Sequence, residues 1–463
     1  MKRTILLTCV GVLCGCADVR QADYQRPDAP TKSSWSRPGD APVSAAATIS
    51  PQWWQEFRDP ELNGLVTRAI AGNFDLRILA SRIDVASAQI AEARAGALPS
   101  VDVGLGAAFE KGTRTRFSKQ FSTGTQVSWD LDVWGQVAKG VQAQQAEFRA
   151  SEADWRAGYL TLVSSVSTTY FQILQLDEQL ERQQRALAKN RQILTIFETM
   201  RRNGLAPETQ VLRQRAEINR LTKEELELRR SRDVAENALA TLLGVPAGQL
   251  KVSASRLQGR VQLPVVPMGL PLDLLQRRPD VVAAEFRVLS AHNLVGQAKL
   301  AQLPSVGLTG RAGSGAFSIA DLLKTFTFSL LPSINLPVFD PSIKARIGTT
   351  EAQVKVFDND YRRTLIAAYE EVENALVNLE AHRKQNEELR QQVEQLERVA
   401  AQTEAQLAAG LISQLDVFET ERSLLAAQLE LLLSHQQVLT DTVTLYKALG
   451  GGWAPVEIAN ARN

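Results

Sequence analysis

The chain has 463 residues, 44% hydrophobic and only 6% aromatic, a length that by itself would suit two or three compact domains. Lysine and arginine number 52 against 51 aspartate and glutamate, so net charge gives no argument for nucleic acid or an acidic substrate. The three cysteines, Cys9, Cys14 and Cys16, all lie at the start, which excludes disulfides and thiolate metal sites in the rest of the chain.

Residues 1–15 read as a secretory signal: Lys2 and Arg3 lead into an apolar core from Thr4 to Cys14. Past it, no run of 18 apolar residues offers a membrane-spanning helix. The signal ends Leu13-Cys14-Gly15-Cys16, which resembles a bacterial lipobox. On that reading Cys16 receives a diacylglycerol and an N-acyl group; the plainer alternative is an ordinary signal peptide with a chance cysteine. Ala17, rather than an aspartate, follows Cys16, which favours the outer membrane. Residues 16–52 are rich in proline, alanine and serine and predict an extended tether without a core of its own.

Trp53-Trp54 read as packing anchors, and Asp59-Pro60 is a good helix start, predicting one helix to about Gly96. From about 100 to 134 the period changes to two. Val101, Val103, Leu105 and Phe109 alternate with Asp102, Gly104, Gly106 and Glu110; Phe121, Val127, Trp129 and Leu131 alternate with Ser122, Gly124, Ser128 and Asp130. This predicts a hairpin with one apolar and one polar face, its strands long enough to cross a bilayer when tilted.

Residues 136–203 contain no proline and carry a heptad of Tyr159, Val166, Ile173, Leu180, Leu187 and Leu194. They predict one very long coiled-coil helix, roughly 100 Å at 1.5 Å per residue. It closes at Gly204-Leu205, where glycine supplies a left-handed residue, and returns as a helix from Pro207 to Leu243. Residues 245–270 read as a linker with short elements.

The second half repeats the first. Asp75, Arg82, Pro99, Leu131 and Val133 match Asp280, Arg287, Pro304, Leu336 and Val338 at a shift of 205; Val166, Gly204 and Gly244 match Val372, Gly410 and Gly450 at 206. Such constancy indicates a tandem duplication: repeat 1 over 53–244, repeat 2 over 271–450 with a hairpin at about 305–339 and a long helix at about 342–409, then a tail over 451–463. The predicted fold class is mainly α with membrane β, built on a helix, hairpin, long helix, helix unit. Four strands cannot close a barrel, which needs about eight, and lipid tolerates no open sheet edge. Copies must therefore join; two, three or four would pass the strand count.

At this point the sequence resembles the TolC-like outer membrane factors, in the lipoprotein branch of tripartite efflux systems. The stretches that carry the resemblance are Trp53-Trp54 through Leu62, Leu275-Gln276-Arg277-Arg278-Pro279-Asp280-Val281, and Tyr446-Lys447-Ala448-Leu449-Gly450-Gly451-Gly452-Trp453. The resemblance implies a homotrimer with a 12-stranded β-barrel continued by a 12-helix α-barrel. It implies an exit duct of a tripartite pump in the Gram-negative outer membrane, conducting drugs or other small molecules. The implied partners are a periplasmic adaptor and an inner-membrane pump of RND type. Rival readings are a type I protein secretion duct and a structural coiled-coil lipoprotein.

The resemblance places Asn203, Gly204, Leu205, Ala409, Gly410 and Leu411 at the adaptor-docking tips. From the residues alone, glycine ends each helix and leucine covers the end. Asp416 falls where the family's tip carries an acidic ring at the closed pore, and Glu419, one turn on, is a second candidate. The local alternative is a capping box from Ser413 to Asp416. Leu411 and Ile412 form an alternative apolar plug. His292, His382 and His435 lack metal-spaced partners, and no phosphate loop or nucleophile elbow occurs. No enzyme, catalytic residue, metal or cofactor beyond the acyl groups on Cys16 is expected.

Overall fold

The computed structural model describes residues 24–28, 32, 34–36, 49–113, 117–267, 277–322 and 324–452. The signal, Cys16, Leu275-Gln276 and the tail from Trp453 lie outside the described residues.

A 3-10 turn over Trp53–Phe57 precedes α1 (Pro60–Gly72) and α2 (Phe74–Ala95). The sequence predicts a single helix here, and the structure breaks it at Asn73. Asn73 is extended (φ −65°, ψ 129°), and its side chain accepts from Leu76 N at 2.9 Å, so it caps a new helix. Then come β1 (Ser100–Glu110), β2 (Ser118–Leu131), the 67-residue α3 (Gln136–Arg202) and α4 (Glu208–Leu242). The second half supplies α5 (Pro279–Leu300), β3 (Ser305–Ala316), β4 (Thr327–Asn335), the 68-residue α6 (Pro341–Ala408) and α7 (Gln414–Ala448).

The strands make one antiparallel sheet in the order β1-β2-β3-β4. The helices form a single layer beneath it. Near the sheet, α3 lies between α2 and α5, with α6 beyond α5; farther down, α3 lies between α4 and α7, with α6 beyond α7. The main core sits at mid-height. Trp53 stacks on Tyr446 (ring centroids 4.9 Å apart) beside Phe57, Tyr170, Phe171 and Leu174, so Trp53-Trp54 are packing anchors. Asp59 is wholly buried; besides capping α1 it accepts from Tyr170 Oη at 2.8 Å and Arg260 Nε at 2.9 Å.

Two stretches differ from their prediction. Residues 245–267 hold neither helix nor strand, yet Leu250, Val252, Leu257, Val261 and Val266 are buried in the main core. Their backbone is held by helix carboxylates: Glu236 accepts from Val252 N at 2.8 Å and Glu178 from Leu257 N at 3.0 Å. The tether is not loose where it is described. Tyr24 meets the edge of His292, Arg26 Nε donates to the buried Glu285 at 2.6 Å, Trp35 is buried beside Tyr369, and Ser36 N donates to Glu373 at 3.0 Å. These contacts strap it along α5 and α6; burial raises the Glu285 pKa, and the Arg26 guanidinium works against that rise.

Candidate functional site

Strand alternation and register together sort the sheet into two faces. On one, Val103 and Leu105 of β1 and Phe328 and Ile334 of β4 are 72, 83, 68 and 76% exposed. A row of large apolar side chains this open is unfavourable in water and suits lipid. Trp129 and Trp134 stand at the foot of the sheet, with indole N–H groups donating to Ala97 O (2.8 Å) and Pro304 O (2.7 Å). That is the placement of aromatic rings at a membrane interface.

The other face is polar. Asp102, Gln126, Arg311 and Ser329 form one cross-strand row, and Gly104, Gly124, Gly313 and Thr327 form the next. Arg311 Nε donates to Gln126 at 3.0 Å and is the one cation on this face among the described strand residues. A Cβ at Gly313 would stand 2.5 Å from Thr123 O, so β2 and β3 approach as they do only because that position is bare. The sheet ends in two unpaired edges, β1 and β4.

At the far end of the layer both long helices close as the sequence predicts. Gly204 and Gly410 have φ of 73° and 70°. Leu205 N reaches back to Met200 O (2.8 Å) and Leu411 N to Gln406 O (2.9 Å), the bonds of a Schellman end. The leucines do not cover the helix ends: Leu205 is 71% and Leu411 74% exposed. Nothing lies near the vacant Cβ position of either glycine. Asn203 and Ala409 are exposed too, so the six tip residues form two open turns.

Asp416 is a cap in this chain. It accepts from the Ser413 hydroxyl at 2.6 Å and from Ser413 N at 2.9 Å, and these bonds hold its pKa below the usual carboxylate range. Glu419 lies one turn on and lines a groove of about 1020 Å³ between α3, α4 and α7; Asp416 does not. Leu411 is exposed and Ile412 half-buried.

Sequence spacing could not reveal the polar ties between the helices. Lys189 of α3 pairs with Glu404 of α6 at 2.7 Å and also contacts Glu421 of α7. His382 lies on the α6 seam and pairs with Asp441 of α7 at 2.5 Å. At mid-height Arg278 binds Asp280 at 2.6 Å, Glu371 of α6 at 2.7 Å and Ala448 O at 3.1 Å. Burial works against its charge, but the two carboxylates outweigh this and raise its pKa. Among the described residues no group of histidine, cysteine, aspartate or glutamate could hold a metal, and no helix is long and apolar enough to cross a membrane.

A family profile described as outer membrane efflux protein matches residues 65–245 and again 270–451, once per repeat. Over 429 residues the chain is 32% identical to the pyoverdine export outer membrane protein OpmQ of Pseudomonas putida, covering 89% of this chain and 91% of that one. It is 30% identical over 469 residues to the toluene efflux pump outer membrane protein TtgC of Pseudomonas putida, covering 96% and 94% respectively. Among solved structures, the outer-membrane channel OprN superposes with a TM-score of 0.84 at 26% identity, over 94% of this chain and 99% of that one.

Proposed function

The chain belongs to the outer membrane efflux protein family, an outer membrane component of an efflux pump, and from that premise we propose how copies close the duct and where its partners meet it. Three copies joined edge to edge supply twelve strands and a continuous helical wall, the number that the family resemblance implies. The observation that carries this reading is the pair of open edges, present at every level. The sheet ends at β1 and β4, and the helix layer ends at α2 and α4 on one side and α6 on the other. A bilayer offers no hydrogen bonds to a bare strand edge, so the arc is completed by further arcs.

Cys16 carries the diacylglycerol and N-acyl groups that anchor each copy. The strap supports this: Tyr24 lies against His292, and the eight residues back to Cys16 reach about 27 Å at full extension, enough to bring the lipid to the foot of the sheet. The open turns at Asn203-Gly204-Leu205 and Ala409-Gly410-Leu411 receive the tips of a periplasmic adaptor. A proton-driven inner-membrane pump of the RND type supplies the energy. Asp416, with Glu419, Leu411 and Ile412 nearby, narrows the resting pore. The relatives' names speak of pyoverdine and toluene, and small organic molecules of this breadth are the proposed cargo.

The test is the mass of the full lipidated protein in detergent together with its conductance in planar bilayers. A mass of three chains is expected, with a low resting conductance that rises when adaptor is added. A monomer, or silence with adaptor present and the gate residues replaced, overturns the duct.

A further inference from the structure

The polar face of the sheet is unevenly charged. Among the described strand residues it carries three acids, Asp102 and Glu110 of β1 and Asp130 of β2, and one base, Arg311 of β3; β4 has no charged residue. A wall with three acids to one base draws cations and repels anions. At Arg311 that pattern reverses.

The Arg311 charge is not neutralised by the chain. Its one partner among the described residues is an amide: Nε donates to Gln126 at 3.0 Å, and the Gln126 amide donates in turn to Ser128 Oγ at 3.1 Å. Asp102 shares the cross-strand row but stands two strands away, about 10 Å at ordinary strand spacing. That is too far for an ion pair and close to the Debye length at about 0.1 M salt. Along β3 the same-face neighbours are Gly307, Thr309, Gly313 and Gly315, so no longer side chain screens the guanidinium. Arg311 is exposed and lines a hollow of about 770 Å³ together with Asp102, Thr327 and Ser329. Nor does the strand need a cation to form. The matching position in repeat 1, 205 earlier, is Gly106, and β1 is built without one.

We infer that Arg311 sets the charge preference of the exit. It is a fixed cation in an otherwise acidic wall, and it lets the anionic groups of cargo, carboxylates above all, pass the sheet. Arginine suits this role because it stays charged at any working pH and offers a carboxylate a fork of N–H donors. The inference rests on the duct proposed above, in which three copies set three such cations at one level.

Ion selectivity of the full lipidated protein in planar bilayers tests it, read from the reversal potential in a potassium chloride gradient with adaptor present. Arg311→Gln should raise the potassium-to-chloride permeability ratio about threefold, the effect of one unit charge roughly 6 Å from a passing ion in water. Citrate added on the sheet side should block the unaltered protein and lose that block in the variant. Arg311→Lys keeps the charge and should keep the ratio, and so should Gln126→Ala, which removes only the partner. Asp102→Asn should move the ratio the other way. If Arg311→Lys and Gln126→Ala shift the ratio as far as Arg311→Gln, the side chain serves to hold β2 to β3 and the inference is overturned. Arg311→Gln pores that conduct with an unchanged ratio overturn it too, and leave the duct standing. A protein that never conducts overturns both.

Discussion

At mid-height in repeat 1 the Asn73 amide donates to Leu242 O at 3.0 Å, and at the matching place in repeat 2 the Arg278 guanidinium donates to Ala448 O at 3.1 Å. The same shifts of 205 and 206 relate every member of the two joints. Gly244, at φ 72°, presses on the Gly72 carbonyl; Gly450, at φ 87°, presses on that of Arg277. The geometry is conserved within the molecule while the chemistry is not. Repeat 2 ties in a third helix through Glu371, whose counterpart in repeat 1 is Ser165. Repeat 1 instead sends Arg77 to Ala71 O at 2.8 Å. What the duplication holds constant is a carbonyl end of one helix closed by the first residue of another; a neutral amide or a buried cation serves.

The comparison breaks most visibly at its charged member. Arg278→Ala removes a nearly buried guanidinium with three partners, one of them a backbone carbonyl left without its donor. The expected loss is about 3 kcal/mol, against about 1 kcal/mol for Asn73→Ala, which forfeits a helix cap and one neutral bond. Thermal unfolding of the detergent-solubilised protein reads both; equal losses would mean that the charge adds nothing to the joint. The glycines should rank the other way. Both are left-handed, but a Cβ on Gly244 would lie 2.2 Å from Gly72 O and one on Gly450 2.9 Å from Arg277 O. Gly244→Ala should therefore cost about 2 kcal/mol and Gly450→Ala less.

Most of the architecture was legible, and for a physical reason. Heptads and period-two strands are local, so α3, α6 and the two hairpins could be read from residues a few positions apart, and the fixed shifts exposed the repeat. The break at Asn73 was missed because an asparagine within a helical pattern announces a cap only once its side chain is seen on Leu76 N. The strap was missed because its anchors, Glu285 and Glu373, lie 259 and 337 residues from Arg26 and Ser36. Of the site, the glycine turns were legible from conformational need. The Lys189 tie, across 215 residues to Glu404, left no trace in spacing.

The smallest effect on stability separates the two tips. Six residues past Gly204 stands Gln210, and six past Gly410 stands Asp416, so only the second tip carries a titratable cap. Because the Ser413 hydroxyl and N–H lower the Asp416 pKa, the cap contributes fully above the ordinary carboxylate value. It is lost only as the pH falls through the lower folded value, below about pH 4. A cap alone therefore predicts conductance that does not change between pH 7 and 5. A ring of three such carboxylates predicts the opposite, since mutual repulsion raises their pKa. Ser413→Ala and Asp416→Asn make the split: the first weakens the cap and keeps the charge, the second keeps an acceptor for Ser413 and removes the charge. With the gate at Asp416, only Asp416→Asn raises resting conductance and weakens cation preference, and only it abolishes the pH response. If Ser413→Ala opens the pore as widely, helix capping is what keeps the tip shut, and the carboxylate acts on its own backbone rather than on the passing ions.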